Sequence, residues 1–143
     1  MSVERNRATF LRFYDALSRH DLDAMAECLA EDYHYHGSTG GAEERDREAF
    51  LGFLQAMFQA LPDARIDVLD TVAEGDLVAA RLRLSGTHHG ELMGIPASGR
   101  EMDLEFANLT RFDSNGLMLE DRDYQDMLAF MQQLGADPAA APN

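Results

Sequence analysis

With 143 residues the chain is long enough for one domain with a hydrophobic core of its own. Twelve basic residues against 26 acidic ones leave a net charge of -14, which excludes nucleic acid and anionic membrane as electrostatic partners and leaves small molecules or further copies of the chain. The single cysteine, Cys28, excludes an internal disulfide. The sequence shows neither a basic flank leading into an apolar leader nor a transmembrane run, so a soluble cytoplasmic protein is expected.

Phe10, Phe13, Tyr14 and Leu17 recur at helical spacing and predict an amphipathic helix over residues 3–18. Asp21 is placed to cap a short second helix with Leu22, Met25, Ala26 and Leu29 on one side. Tyr33-His34-Tyr35-His36 predicts a short strand that runs into the loop Gly37 to Gly41, with both histidines on one strand face. Asp46 caps what is expected to be the longest helix, with an apolar stripe of Phe50, Phe53, Leu54, Met57 and Leu61 that ends at Pro62 and lies across the sheet. Strands follow at Arg65 to Ala73, Leu77 to His88 and Glu101 to Phe112. The segment Gly90 to Gly99 between the last two carries Met93 and Ile95 and is expected to cover a pocket mouth. A final strand within Leu119 to Asp126 and an apolar closing turn over Met127 to Leu134 complete an α+β pattern, one domain over residues 1–143 with 136–143 a frayed tail.

Alternation sorts the strands by face. Met102, Leu104, Phe106, Asn108, Thr110 and Phe112 share one parity and are expected inward. Val78, Ala80, Leu82 and Leu84 do the same one strand earlier, with His88 on their side. Asn115-Gly116 predicts a two-residue type I′ turn that pairs Ser114 with Leu117. Counting outward sets Phe112 opposite Leu119, Thr110 opposite Asp121, Asn108 opposite Asp123 and Phe106 opposite Gln125. Asp121, Asp123 and Gln125 therefore turn inward, while Glu120, Arg122 and Asp126 turn out.

An inward carboxylate is costly unless it is solvated, paired or protonated, so two of them imply a polar cavity. Burial also raises a carboxyl pKa toward the range useful for proton transfer. Asp121, nearer the hairpin, is expected to be solvated; Asp123, among Phe106, Asn108 and Gln125, is the functional candidate. His36 and His88 are placed to reach the same cavity. His36, His88 and Asp123 match no compact metal-ligand spacing, and no metal or cofactor is expected. A covalent serine or cysteine mechanism has no candidate residue.

Glu31-Asp32-Tyr33, Gly86-Thr87-His88-His89-Gly90, Met93-Gly94-Ile95-Pro96, Arg122-Asp123 and Gln133-Leu134-Gly135, in this order, resemble the SnoaL-like polyketide cyclase and ester cyclase family of the NTF2-like superfamily. The resemblance covers about Arg7 to Gly135. It implies an α+β cone, a curved antiparallel sheet wrapped around a deep apolar pocket closed by the N-terminal helices, in a homodimer or higher oligomer packed through the sheet. It also implies a cofactor-independent intramolecular aldol condensation on a small apolar carbonyl or ester substrate, with Asp123 at the position of the family's acid/base. Asn108 stands where the cyclases carry a histidine. Asn108 with His88 or His36 is expected to stabilise the enolate, and Leu17, Phe53, Met93 and Phe106 to line the cavity with Asp121 and Gln125. A non-catalytic carrier with the same pocket is the alternative, and an epoxide-hydrolase-like enzyme ranks third because Arg111 and Arg122 point outward.

Overall fold

A computed structural model describes residues 2–37 and 43–136. The predictions for Ser38 to Gly41 and for the tail from residue 137 lie outside the described residues. Each helix begins on a side chain that accepts a hydrogen bond from its first turn. Ser2 caps α1 (Val3–Ser18), Asp21 caps α2 (Leu22–Glu27), Asp46 caps α3 (Arg47–Ala60) and Asp126 caps α4 (Met127–Gln133). Asp126 thus serves a helix start, not the outer face of a strand. The longest helix is α1, with 16 residues against 14 in α3. The work of covering the sheet is divided: α1 packs on the β3 and β4 side, and α3 on β1 and β2.

The strands are β1 (Leu29–His36), β2 (Glu44–Asp46), β3 (Arg65–Glu74), β4 (Leu77–Thr87), β5 (Glu101–Phe112) and β6 (Met118–Tyr124). They form one curved, unclosed sheet in the order β2-β1-β6-β5-β4-β3. Neighbours are antiparallel except β1 and β6, which run parallel. Leu29 belongs to β1 rather than to the second helix, and the edge strand β2 has no counterpart among the predicted elements. Aromatic and aliphatic residues of α1, α3 and the inner sheet face share one core that includes Phe10, Phe13, Tyr33, Phe50, Leu82 and Met118.

The β5–β6 hairpin differs from a type I′ turn. The Asp113 N–H donates to the Leu117 carbonyl (2.9 Å) and the Gly116 N–H to the Asp113 carbonyl (3.1 Å), while the Asp113 carboxylate accepts from the Asn115 and Leu117 amides. A type I′ turn needs positive φ at both central residues, and here Gly116 has it (78°) while Asn115 does not. The loop is therefore longer than two residues, and Phe112 pairs with Met118 rather than Leu119. A bulge then inserts Leu119, so that Arg111 faces Glu120, Thr110 faces Asp121 and Asn108 faces Asp123, as the parity count predicts. Without that bulge both acids would point to the outer face.

The outer face carries exposed arginine–carboxylate pairs: Arg81 with Asp70 and Glu105, Arg83 with Asp103, and Arg111 with Asp76. Such pairs contribute little each. No helix among the described residues is long and apolar enough to cross a membrane.

Candidate active site

The inner ends of β1, β5 and β6 bring together two carboxylates on a ladder of donors. Asp121 is 2 % exposed, accepts from the Tyr33 hydroxyl and the Asn108 amide (3.1 Å), and lies within hydrogen-bond distance of the Thr110 hydroxyl. Asp123 accepts from the same Asn108 amide (2.8 Å) and from the Tyr35 hydroxyl (2.8 Å). Both N–H bonds of Asn108 are thereby committed, one to each acid.

Thr110 adds a constraint. Its oxygen lies 2.6 Å from the Asn108 carbonyl oxygen and also within hydrogen-bond distance of Asp121 Oδ1, yet a hydroxyl has a single proton. If Thr110 donates to Asn108, a protonated Asp121 completes the ladder by donating to Thr110. Burial pushes the Asp121 carboxyl up, in the direction this accounting needs.

Asp123 differs in what lies on its other side. It is only partly buried and opens on a cavity of about 110 Å³ walled by Phe13, Leu17, Phe50, Phe53, Leu54, Met57 and Phe106. Burial first, and the Asp121 carboxyl second, push its pKa up to about 7, while the bonds from Asn108 and Tyr35 pull it down. Tyr14 also lines the cavity and is held as a neutral phenol, well above its ordinary pKa, by burial and by the charges of Asp121 and Asp123. A carboxyl that titrates near neutrality beside an apolar space can both remove and return a proton.

The sequence model of the SnoaL-like polyketide cyclase family matches residues 8–134. The chain belongs to this family. DnrD, the aklanonic acid methyl ester cyclase of Streptomyces peucetius, is 31% identical over 126 residues, which cover 87% of this chain and 86% of that one. The crystal structure of IdmH from Streptomyces antibioticus aligns with a TM-score of 0.78 at 32% identity, covering 92% and 99% of the two chains. TsrD from Streptomyces laurentii gives 0.83 at 27% identity over 95% and 98%. The α+β cone of this SnoaL-like chain is thus the architecture of its solved neighbours.

Within that frame the predicted residues divide. Asp123, Gln125, Leu17, Phe53, Met93 and Phe106 all line the cavity. Asn108 and Asp121 lie behind it, in the ladder. The expectation that Asp121 is solvated is wrong: α1 closes this end of the sheet, with Arg5 reaching the Ser114 carbonyl of the hairpin, and β1 runs alongside and brings Tyr33. His36 is not in the cavity wall. On β1 the inward positions belong to Tyr33 and Tyr35, both buried, so His34 and His36 take the outer face.

His88 is fully buried, but it is absent from the cavity wall as well. Its Nδ1 accepts from the Ser98 amide (3.3 Å) and lies 2.9 Å from the Ser98 hydroxyl, so the network puts the ring proton on Nε2, a buried atom without a partner among the described residues. It ties down the loop that delivers Leu92 and Met93 to the cavity. The same loop is fastened to α3 by the His89 and Gly90 amides on the Ala60 carbonyl, a close approach in which a Cβ on Gly90 would come within 3.1 Å of the Ala60 Cα.

Sequence reasoning missed Tyr33, Tyr35 and Tyr14 as members of the site, and Glu43 and Arg45 as parts of the cavity wall. The alternation of Tyr33-His34-Tyr35-His36 held the signal for the tyrosines, but without the partner strand the choice of face was open.

Proposed function

We propose that the protein is a cofactor-independent cyclase that closes a ring by intramolecular aldol chemistry, with Asp123 as acid and base. One observation carries this reading: the Asp123 carboxyl, pushed up to about 7, opens on an apolar cavity and is oriented from behind by Asn108 and Tyr35. Family membership and the relationship to DnrD support it.

The ionised Asp123 takes a proton from the carbon α to a substrate carbonyl; the C–H bond breaks, an O–H bond forms and an enolate remains. The enolate carbon attacks a second carbonyl carbon of the same molecule, forming the C–C bond and leaving an alkoxide. The alkoxide recovers the proton from Asp123, and the carboxylate is regenerated. Tyr14, neutral and in the cavity wall, is the hydrogen-bond donor for the enolate oxygen. Asn108 has no N–H left for that oxygen, so it acts by positioning both acids. His88 acts through the loop that it holds. At about 110 Å³ the cavity encloses roughly the reacting ring of an aromatic ester, and its aromatic walls orient that ring.

Asp123→Asn is the test. A substrate ester is expected to lose turnover by about a thousandfold, within the usual range for removing a general acid/base, while binding stays within a few-fold of wild type. Full turnover in a folded Asp123→Asn protein rules out Asp123 as the acid and base, and a wild-type protein that binds the ester without turning it over is a carrier.

A further inference from the structure

Beyond Tyr35 on the same sheet face the cavity wall carries an ion pair whose guanidinium the acid/base chemistry does not use. In the β1–β2 register Arg45 faces Tyr35, and Tyr35 in turn faces Asp121 on β6, so Arg45 lies on the inner face two strands from the acids, about 10 Å away between backbones. Its guanidinium lies 4.0 Å above the ring of Phe53 and is paired through Nη2 with the Glu43 carboxylate, and all three residues line the cavity. The other terminal nitrogen, Nη1, is buried and has no partner among the described residues. A cation fixed in plane by a ring and a carboxylate, with one donor left over, has the form of a half-made binding site.

We propose that Arg45 Nη1 binds an uncharged carbonyl oxygen, of an ester or a quinone, at the end of the ligand away from Asp123. This rests on the cavity being the substrate site of the proposed reaction. Two features select a neutral oxygen over an anion. Glu43 already balances the guanidinium charge, and the cavity holds a second acid in Asp123, so an anionic ligand meets one cation and two carboxyl groups. The buried donor selects against a ligand that has no acceptor, because such a ligand leaves Nη1 unpaired.

Calorimetric titration at pH 8 with methyl benzoate, benzoate and propylbenzene tests this, since the three share a ring and differ in the acceptor. Wild-type protein is expected to bind methyl benzoate about tenfold more tightly than either of the others, the selectivity of one charge-assisted hydrogen bond. In Arg45→Met the ester and propylbenzene should bind within twofold of each other. In Glu43→Gln, where the guanidinium charge is released, benzoate should gain about tenfold; this gain is a readout that a misfolded protein cannot give. An unchanged ester-to-propylbenzene ratio in Arg45→Met, or tighter binding of benzoate than of the ester by wild type, overturns the assignment. Either result leaves the Asp123 mechanism standing if Asp123→Asn abolishes turnover, whereas failure of all three probes to bind wild type removes the cavity as a ligand site and this proposal with it.

Discussion

Asp121 and Asp123 sit two residues apart on one face of one strand and share the amide of Asn108, yet their surroundings assign them opposite work. Asp121 is enclosed and has three hydrogen-bond partners; Asp123 has two and a cavity on its free side. The difference comes from the neighbouring elements rather than from β6 itself. Tyr33 and α1 seal one end of the ladder, while the other end opens beneath the loop that carries Leu92 and Met93. A carboxyl enclosed on every side by protein partners is a structural part, and one with a free side can exchange a proton with a ligand.

Removing the Asp121 carboxyl is expected to have the largest effect on stability. Asp121→Ala leaves the Tyr33 hydroxyl and one Asn108 N–H without an acceptor in a site that water does not reach, a loss of about 3 kcal/mol in denaturant unfolding. Asp121→Asn is the sharper variant. If Asp121 is the neutral acid that the Thr110 proton accounting calls for, an amide keeps the Tyr33 and Thr110 bonds and loses only the acceptor for one Asn108 N–H, at a cost of about 1 kcal/mol. A loss as large as that of Asp121→Ala means the carboxyl is ionised, and the contrast between the two acids weakens.

Asp123 is expected to move stability the other way. Its folded pKa of about 7 lies above the unfolded value, so its proton stabilises the folded state at low pH, and that stability is lost as pH rises from about 4 through 7. Asp123→Asn carries no such charge. It is expected to be more stable than wild type at pH 8 by about 2 kcal/mol, after discounting for partial access to solvent and for a hydrogen bond that the amide makes less well, and the gain should shrink by pH 5. Thermal melts at the two pH values decide it. A stabilisation independent of pH means that Asp123 does not pay for its burial with an elevated pKa.

Much of this contrast was legible in the sequence, and the part that was not has a physical reason. Parity along Glu101 to Phe112 and the count across the hairpin place Asp123 opposite Asn108 and Thr110 opposite Asp121, because both strands are local partners and side chains alternate strictly. That count survives an incorrect turn type only because a bulge adds back the residue that the longer loop displaces. The β1–β6 pairing could not be read in the same way. It is parallel, its hydrogen-bonded tyrosine–aspartate pairs lie 88 positions apart, and no turn sets its register, so the sequence does not show that the tyrosines rather than His36 face the two acids. Arg45 escaped because β2 is three residues long and has no periodicity to detect.

The smallest expected effect isolates the contact that only Asp123 has. The Tyr35 hydroxyl donates to Asp123 and stabilises its ionised form, so it holds the carboxyl below the value that burial and Asp121 would otherwise set. In Tyr35→Phe the ring and its packing on Phe50 remain, and the Asp123 midpoint should rise by roughly half a unit to one unit above its wild-type position. Because the ionised carboxylate is the base, the rise of kcat/KM with pH should move upward by the same amount, and carbon NMR of the labelled carboxyl should follow it. Tyr33→Phe, which removes the corresponding donor from Asp121, should leave that midpoint nearly in place, since Asp121 keeps Asn108 and Thr110. If both variants move the profile equally, the two acids titrate as one unit and share their proton, and the division of labour along β6 is lost.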